Sequence, residues 1–203
     1  MRILITGFEP FGGDPTNPSW PVAQRVAAAL GSEWMPALLT CTFDTGMAQL
    51  RALIAEHRPD LVVCLGLAQG RAGLTIERVA INLIDARIPD NAGNQPIDVA
   101  VVEQGPSAYL SVLPLKRAVA ASQAAQIPAA VSLSAGTFVC NAAFYTAAHA
   151  LGPDRAAFIH IPLEAEAGGP LSVAQMATGV VAMVRELIIP GPDLGHTAGT
   201  LHS

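Results

Sequence analysis

Short apolar runs ended by turn-forming residues recur along this chain, with helix-like segments between them, and that alternation restricts the fold more than any other feature. Residues 2–7 read as a buried strand, largely apolar and followed by glycine and proline. Ser19 is placed to cap a helix with Pro21 in its first turn, ending near Leu30 before Gly31. Residues 34–40 are strand-like, and Asp44 then caps a second helix through His57, closed by Pro59. Residues 61–65 form a continuous apolar run of the kind buried in a parallel sheet. Further on the pattern gives a helix near 114–126, a strand near 129–133, a helix over 137–151, a strand over 156–161 and a helix near 172–187. The order βαβα implies an open α/β sheet with helices on both faces. Residues 74–98 break the rhythm: a β-rich run precedes the dense turn cluster Pro89-Asp90-Asn91-Ala92-Gly93-Asn94, which reads as a strand or hairpin excursion from the main sheet. Residues 190–203, rich in glycine, proline and polar side chains, are expected to be a frayed tail.

With 203 residues, the chain fits one domain, or at most two small ones, at roughly 100–200 residues per domain, and a single domain over 1–203 is expected. Its 51% apolar content supplies a core and excludes a disordered chain. Charged residues make up only 13%, about half the usual share. A surface so poor in charge points to part of it being buried against another subunit. The net charge is −5 and no basic run of five or more exists, so no nucleic-acid partner is expected. The first seven residues lack a signal-peptide core and cleavage site, and no run of 18 apolar residues offers a membrane span. Without an export signal, Cys41, Cys64 and Cys140 read as free thiols of a reducing cytosol. Their spacing forms no CxxC pair and no HExxH helix is present, so no structural metal is called for. The expectation is a soluble cytoplasmic protein.

Several segments stand where chemistry collects in such folds. Gly7-Phe8-Glu9-Pro10-Phe11-Gly12-Gly13 follows the first strand, at the edge where α/β sheets place ligands. It is not a phosphate loop, because Gly13 stands where lysine is required, and it is not GxGxxG. Two phenylalanines in an exposed loop suit an apolar ligand body; the competing reading is a turn whose rings pack on the core. Cys140 falls in the first turn of a helix, where unpaired N–H groups favour a thiolate and lower the thiol pKa. Its competing reading is a small core hydrophobe. His160 ends an apolar strand at its carboxyl edge, as a catalytic group or as a core histidine bonded to backbone. Glu77 either orients a histidine or faces solvent from an alternating strand. Together Glu77, Cys140 and His160 would make the orienter, nucleophile and base of an activated thiol, which the spacing permits without fixing. His57, His149 (mid-helix), His196 and His202 have no comparable placement, and Cys41 and Cys64 sit in strand-like apolar surroundings.

These motifs resemble those of pyroglutamyl peptidase type I, also called pyrrolidone-carboxylate peptidase, a family of cytosolic cysteine peptidases. The resemblance runs from Gly7-Phe8-Glu9-Pro10-Phe11-Gly12-Gly13 through Asn17-Pro18-Ser19 to Phe158-Ile159-His160-Ile161-Pro162. It is most specific in Ile76-Glu77-Arg78-Val79-Ala80-Ile81-Asn82, Asp85-Ala86-Arg87-Ile88-Pro89-Asp90-Asn91 and Ala135-Gly136-Thr137-Phe138-Val139-Cys140-Asn141. The resemblance implies a three-layer α/β/α sandwich with a twisted mixed sheet. It also implies hydrolysis of the amide bond after an N-terminal pyroglutamyl (5-oxoprolyl) residue of peptides, without metal or cofactor, by a homo-oligomer that is often a tetramer in bacterial members. Carried over by position, it makes Cys140 the nucleophile, His160 the base and later acid, Glu77 the orienting group and Arg87 a stabiliser of the oxyanion. Phe8 and Phe11 become the rings that sandwich the lactam, with Ile88, Phe138 and Val139 as further pocket positions. The alternatives are a non-catalytic binder of 5-oxoproline-like ligands and an amidase of altered ring preference.

The chain also departs from the family pattern. Leu67 replaces a polar pocket residue of many bacterial members, so partners for the lactam are expected from backbone near residues 8–12 or from the Asn17 side chain. Leu133 stands where asparagine is frequent, Ala142 replaces a histidine, and residues 163–166 differ from the usual segment.

Overall fold

The computed structural model describes residues 1–197. In chain order the elements are β1 (Ile3–Phe8), α1 (Ser19–Leu30), β2 (Trp34–Leu39), α2 (Phe43–His57), β3 (Leu61–Leu67), β4 (Leu74–Glu77), β5 (Val79–Ile81), β6 (Ala108–Leu110), α3 (Leu115–Ala124), β7 (Ala129–Ser132), α4 (Val139–Leu151), β8 (Ala156–Ile161) and α5 (Val173–Leu187). Every residue of β1, β3 and β8 is buried, as strands covered on both faces require. The main sheet has the order β2-β1-β3-β8-β4-β7. Its first four strands are parallel, β4 runs antiparallel to β8, and β7 lies parallel to β4.

Side chains alternate along a strand, so the sheet feeds two cores. Ile3, Ile5, Val63, Leu65, Ala157 and Ile159 pack against α1, α3 and α5. Leu4, Val62, Cys64, Ala156 and Phe158 pack against α2 and α4 on the opposite face. This is a three-layer α/β/α sandwich on a mixed sheet, the fold class expected from the sequence. Among the described residues no helix is long and apolar enough to cross a membrane.

Local details correct the sequence reading at several points. Pro18, not Ser19, takes the N-cap position of α1; the Ser19 hydroxyl instead accepts the Phe8 N–H at 2.8 Å and bonds Asn17 Oδ1 at 2.8 Å. It can do so because Gly7 lets the start of α1 approach β1: a Cβ there would lie 2.6 Å from the Ser19 backbone. The cap of α2 is Thr42, whose hydroxyl accepts the Gly46 N–H at 3.0 Å, while Asp44 sits in the first turn, where its charge suits the helix dipole.

The middle of the chain is only partly an excursion. β4 joins the main sheet between β8 and β7, burying Leu74 and Ile76 in the α1/α3/α5 core. Only β5 and β6 leave, as a separate antiparallel pair anchored to α4 by Asn141, which exchanges hydrogen bonds with the Ile81 backbone at 3.0 and 2.9 Å. His149 lies in the last turn of α4 rather than mid-helix, and its Nδ1 meets the Tyr109 hydroxyl at 2.8 Å. The C-terminal segment is docked as far as it is described. The Asp193 carboxylate accepts the N–H groups of Arg117 and Lys116 at 2.9 and 3.1 Å, covering the open start of α3. The rest of the expected tail, 198–203, lies outside the described residues.

Candidate active site

His160 is the fifth residue of β8, and its two strand neighbours shape everything around it. In the parallel ladder with β3 it faces Gly66; in the antiparallel ladder with β4 it faces Thr75. Glu77 lies two residues beyond Thr75, on the same face of the sheet, diagonal to His160. The imidazole Nδ1 meets Glu77 Oε1 at 2.7 Å, with Glu77 fully buried and His160 nearly so. A carboxylate only accepts, so the proton of this bond sits on Nδ1 and Nε2 keeps its lone pair. Glu77 Oε1 accepts a second bond, 3.0 Å from Arg71 Nη1, while Oε2 is buried without a partner. Glu77 is thus not the solvent-facing residue of an alternating strand.

Cys140 reaches the same spot from above. It stands in the first turn of α4, as the sequence indicated, and a Cβ built on Gly66 would lie 2.7 Å from its Sγ and 2.7 Å from the Phe158 ring. The thiol therefore rests over the strand partner of His160, in space that exists only because residue 66 has no side chain. Gly66→Ala is expected to overpack this point at a cost of about 1–3 kcal/mol. At roughly 2–4 °C per kcal/mol for a domain of this size, that lowers Tm by about 2–12 °C. It should also slow alkylation of Cys140; an unchanged Tm and labelling rate would remove Gly66 from the site.

Burial dominates the titration of both groups. It pushes the Cys140 thiol well up, with Cys41, Glu77 and Cys64 adding to the rise and Arg71 opposing it. This overturns the expected lowering: the helix start is present, but enclosure outweighs it. Burial likewise lowers His160 below 6.5, with Glu77 pulling up and Arg71 pulling down. The resting pair is therefore a neutral thiol and a neutral imidazole. Cys41 and Cys64, both buried, are pushed up to about 12.

Around the thiol, α4 begins without a side-chain cap, leaving its first N–H groups open. Thr137 bonds Asp85 in both directions, at 3.1 Å through its carbonyl and 2.8 Å through its hydroxyl, which draws the segment carrying Arg87 and Ile88 to the helix start. Arg87 is exposed there, and Ile88 reaches to 3.6 Å from the position of a Cβ on Gly12. Phe11 and Phe138 are half-buried with ring centroids 6.0 Å apart, and Phe43 meets Phe138 edge-on at 5.2 Å. Two surface hollows lie elsewhere: about 510 Å³ beside Gln24, Trp34 and Pro36, and about 240 Å³ beside Met1, Val112 and Ile189. Neither is lined by Cys140 or His160, so side-chain chemistry, not cavity depth, locates this site. Among the described residues no cluster of three His, Cys, Asp or Glu side chains is arranged to hold a metal ion.

Comparison with known proteins decides the family. The family model described as pyroglutamyl peptidase matches residues 1–197. The chain belongs to that family. A pyrrolidone-carboxylate peptidase of Streptomyces coelicolor is 53% identical over 167 residues, covering 79% of this chain and 77% of its own. One from Pectobacterium atrosepticum is 43% identical over 98% of this chain and 99% of its own. Among solved structures, pyroglutamyl peptidase I of Bacillus amyloliquefaciens superposes with TM-score 0.87 at 39% identity, covering 97% of this chain and 99% of that one. A mutant pyrrolidone carboxyl peptidase of Pyrococcus furiosus does so at 0.86 and 32%, covering 93% and 98%. The activity class is that of a pyroglutamyl peptidase, a cysteine peptidase family.

Set against this peptidase family, three expected contacts change. Phe8 is not in an exposed loop: it ends β1, is 2% exposed and belongs to the α2/α4 core. Val139 is equally buried at 1%. The Asn17 amide is also largely engaged. Its Nδ2 donates one N–H to the Glu9 carbonyl at 2.9 Å and its Oδ1 accepts twice from Ser19, so the carbonyl end is taken and a single N–H remains. Leu67 and Ala142 are buried, whereas Leu133 is exposed. Sequence reasoning also missed Gly66, Thr75 and Arg71. The β-ladder register brings Gly66 and Thr75 to His160, and Arg71 reaches Glu77 from the turn between β3 and β4; no local pattern marks either placement.

Proposed function

We propose that this chain hydrolyses the amide bond after an N-terminal pyroglutamyl residue, with Cys140 as nucleophile, His160 as base and then acid, and Glu77 as the group that orients His160. The observation that carries the reading is the 2.7 Å Glu77–His160 contact placed beside a thiol that lies over Gly66. Neutral Nε2 takes the thiol proton as sulfur attacks the pyroglutamyl carbonyl. The imidazolium then protonates the departing amine, and the C–N bond breaks to leave a thioester. A water, deprotonated by the same nitrogen, hydrolyses that thioester and releases pyroglutamate. The oxyanion is met by the open N–H groups of α4 and by the exposed Arg87 guanidinium. Phe11 and Phe138, already in ring contact, form with Ile88 an apolar wall for the flat lactam. Phe8 and Val139 support that wall from the core.

The chain works as a single domain in the cytoplasm, a reading supported by one main sheet carrying both cores and by three free thiols. A homo-oligomer is supported by the exposed Ile97, Leu110 and Val112, each more than 60% accessible.

Selectivity tests the reading. A prolyl amide lacks the ring carbonyl and carries an ammonium that the apolar wall would have to desolvate. It is expected to be cleaved slower than the pyroglutamyl amide by on the order of 10²–10⁴-fold in kcat/KM. Equal rates would mean an amidase of altered ring preference, and binding without turnover would mean a non-catalytic member.

A further inference from the structure

We propose that Arg71 is a positioning residue of this site, bridging Thr75 and Glu77 so that the buried carboxylate is held against His160 and the imidazole presents Nε2 to Cys140. The inference rests on the thiol mechanism above and extends it to a residue outside the three reacting and orienting groups.

Glu77 is fully buried, and a buried carboxylate needs both a counter-charge and hydrogen bonds. His160 supplies one bond, but a neutral imidazole supplies no charge. Arg71 Nη1 supplies the charge, 3.0 Å from the same oxygen that His160 contacts. The same nitrogen also bonds Thr75 Oγ1. Thr75 is the antiparallel partner of His160 and lies two residues before Glu77, so the guanidinium spans the strand that carries the orienting carboxylate. Lysine offers a point charge in place of this planar group. Because Oε2 has no partner, nothing else among the described residues fixes the rotation of the Glu77 carboxylate. Arg71 itself sits in the turn between β3 and β4, with its side chain 26% exposed.

The charge has a second consequence. With Arg71 present, protonating His160 adds a positive charge to a dyad whose carboxylate is already matched. Without it, the imidazolium becomes the only counter-ion of Glu77 and is stabilised. The charged groups acting on His160 are Glu77 from β4 and Arg71 from the β3–β4 turn, and the same two act on Cys140 of α4, together with Cys41 and Cys64. Of these, Arg71 is the cation, and it acts to keep His160 neutral.

The test compares pH profiles of kcat/KM on a pyroglutamyl amide for wild type, Arg71→Met and Arg71→Lys. Arg71→Met is expected to move the acid limb upward by about one pH unit. It should lower plateau kcat by about 10–100-fold through misplacement of the dyad, with KM changed by less than about threefold. Arg71→Lys should return the limb to its wild-type position and recover part of kcat. If Arg71→Met does not fold, Arg71→Gln, which removes the charge and keeps a donor for Thr75, takes its place with the same expected shift. An unmoved limb in the neutral variant, or a shifted one in Arg71→Lys, overturns the proposal. The His160 ring titration followed by NMR in the same variants reads the shift without turnover. A wild type that does not cleave pyroglutamyl amides therefore sinks the functional reading while the Arg71 shift is still measured.

Discussion

Cys140→Ala is expected to abolish pyroglutamyl amide hydrolysis, lowering kcat/KM by at least about 10⁴-fold, while the protein keeps its fold. The size follows from chemistry: no other nucleophile stands at Gly66, and His160 has no thiol proton to take. The intact fold follows from packing. Cys140 is half-buried at the edge of the α2/α4 core, and exchanging its Sγ for hydrogen leaves a void open to the site. Circular dichroism and Tm should therefore match wild type. The other thiols supply the control. Cys41 and Cys64 are buried and pushed up to about 12, so Cys41→Ser and Cys64→Ser should retain turnover. Iodoacetamide should label Cys140 first because it alone is accessible. Its rate should climb with pH rather than plateau early, since burial pushes this thiol up too. Full activity in Cys140→Ala would end the thiol mechanism.

What the sequence could and could not disclose divides along one physical line. β1, β3 and β8 were legible because a strand covered on both faces is a continuous apolar run, whatever its neighbours are. The entry of β4 into the main sheet was not. Its residues carry the same β-preference whether they pair with β8 or leave with β5, and only the ladder decides. Glu77 inherited that ambiguity: next to solvent it would be ordinary, and next to His160 it is a dyad partner. Cys140 could be placed from its strand-to-helix junction, yet the direction of its shift could not. The helix start is local, whereas the enclosure by Phe158, Cys41 and Cys64 is tertiary. Phe8 and Phe11 looked alike in sequence, three residues apart in one loop. The strand continues through Phe8, whose side chain follows Leu4 into the core, while Phe11 lies past the strand end and stays half-buried. Asn17 reads as free for a ligand in sequence, but Ser19 takes its amide oxygen and Glu9 one of its two N–H donors.

His160→Gln is the second substitution expected to have a large effect, lowering kcat/KM by about 10²–10⁴-fold, the usual worth of a positioned base. Glutamine is preferred to alanine here. Its amide can still donate to Glu77 Oε1, whereas alanine leaves that buried oxygen short of a partner at about 1–3 kcal/mol. A rate lost in His160→Gln at wild-type Tm therefore reports chemistry, not folding. The wild-type pH profile carries an independent check. Burial lowers His160 below 6.5, so the base is already neutral at pH 7 and the acid limb of kcat/KM should lie below 6.5. Stability follows the same sign. The unfolded chain binds this proton more readily than the folded one, so His160's contribution is complete above 6.5 and is lost as pH falls toward the folded value. His160→Gln removes the proton site and should flatten that part of the stability–pH curve. Glu77→Gln should keep measurable turnover with reduced kcat, because it weakens orientation without deleting the base. If His160→Gln retains the wild-type rate, or the acid limb lies above 6.5, His160 is a structural histidine and the base must be sought elsewhere.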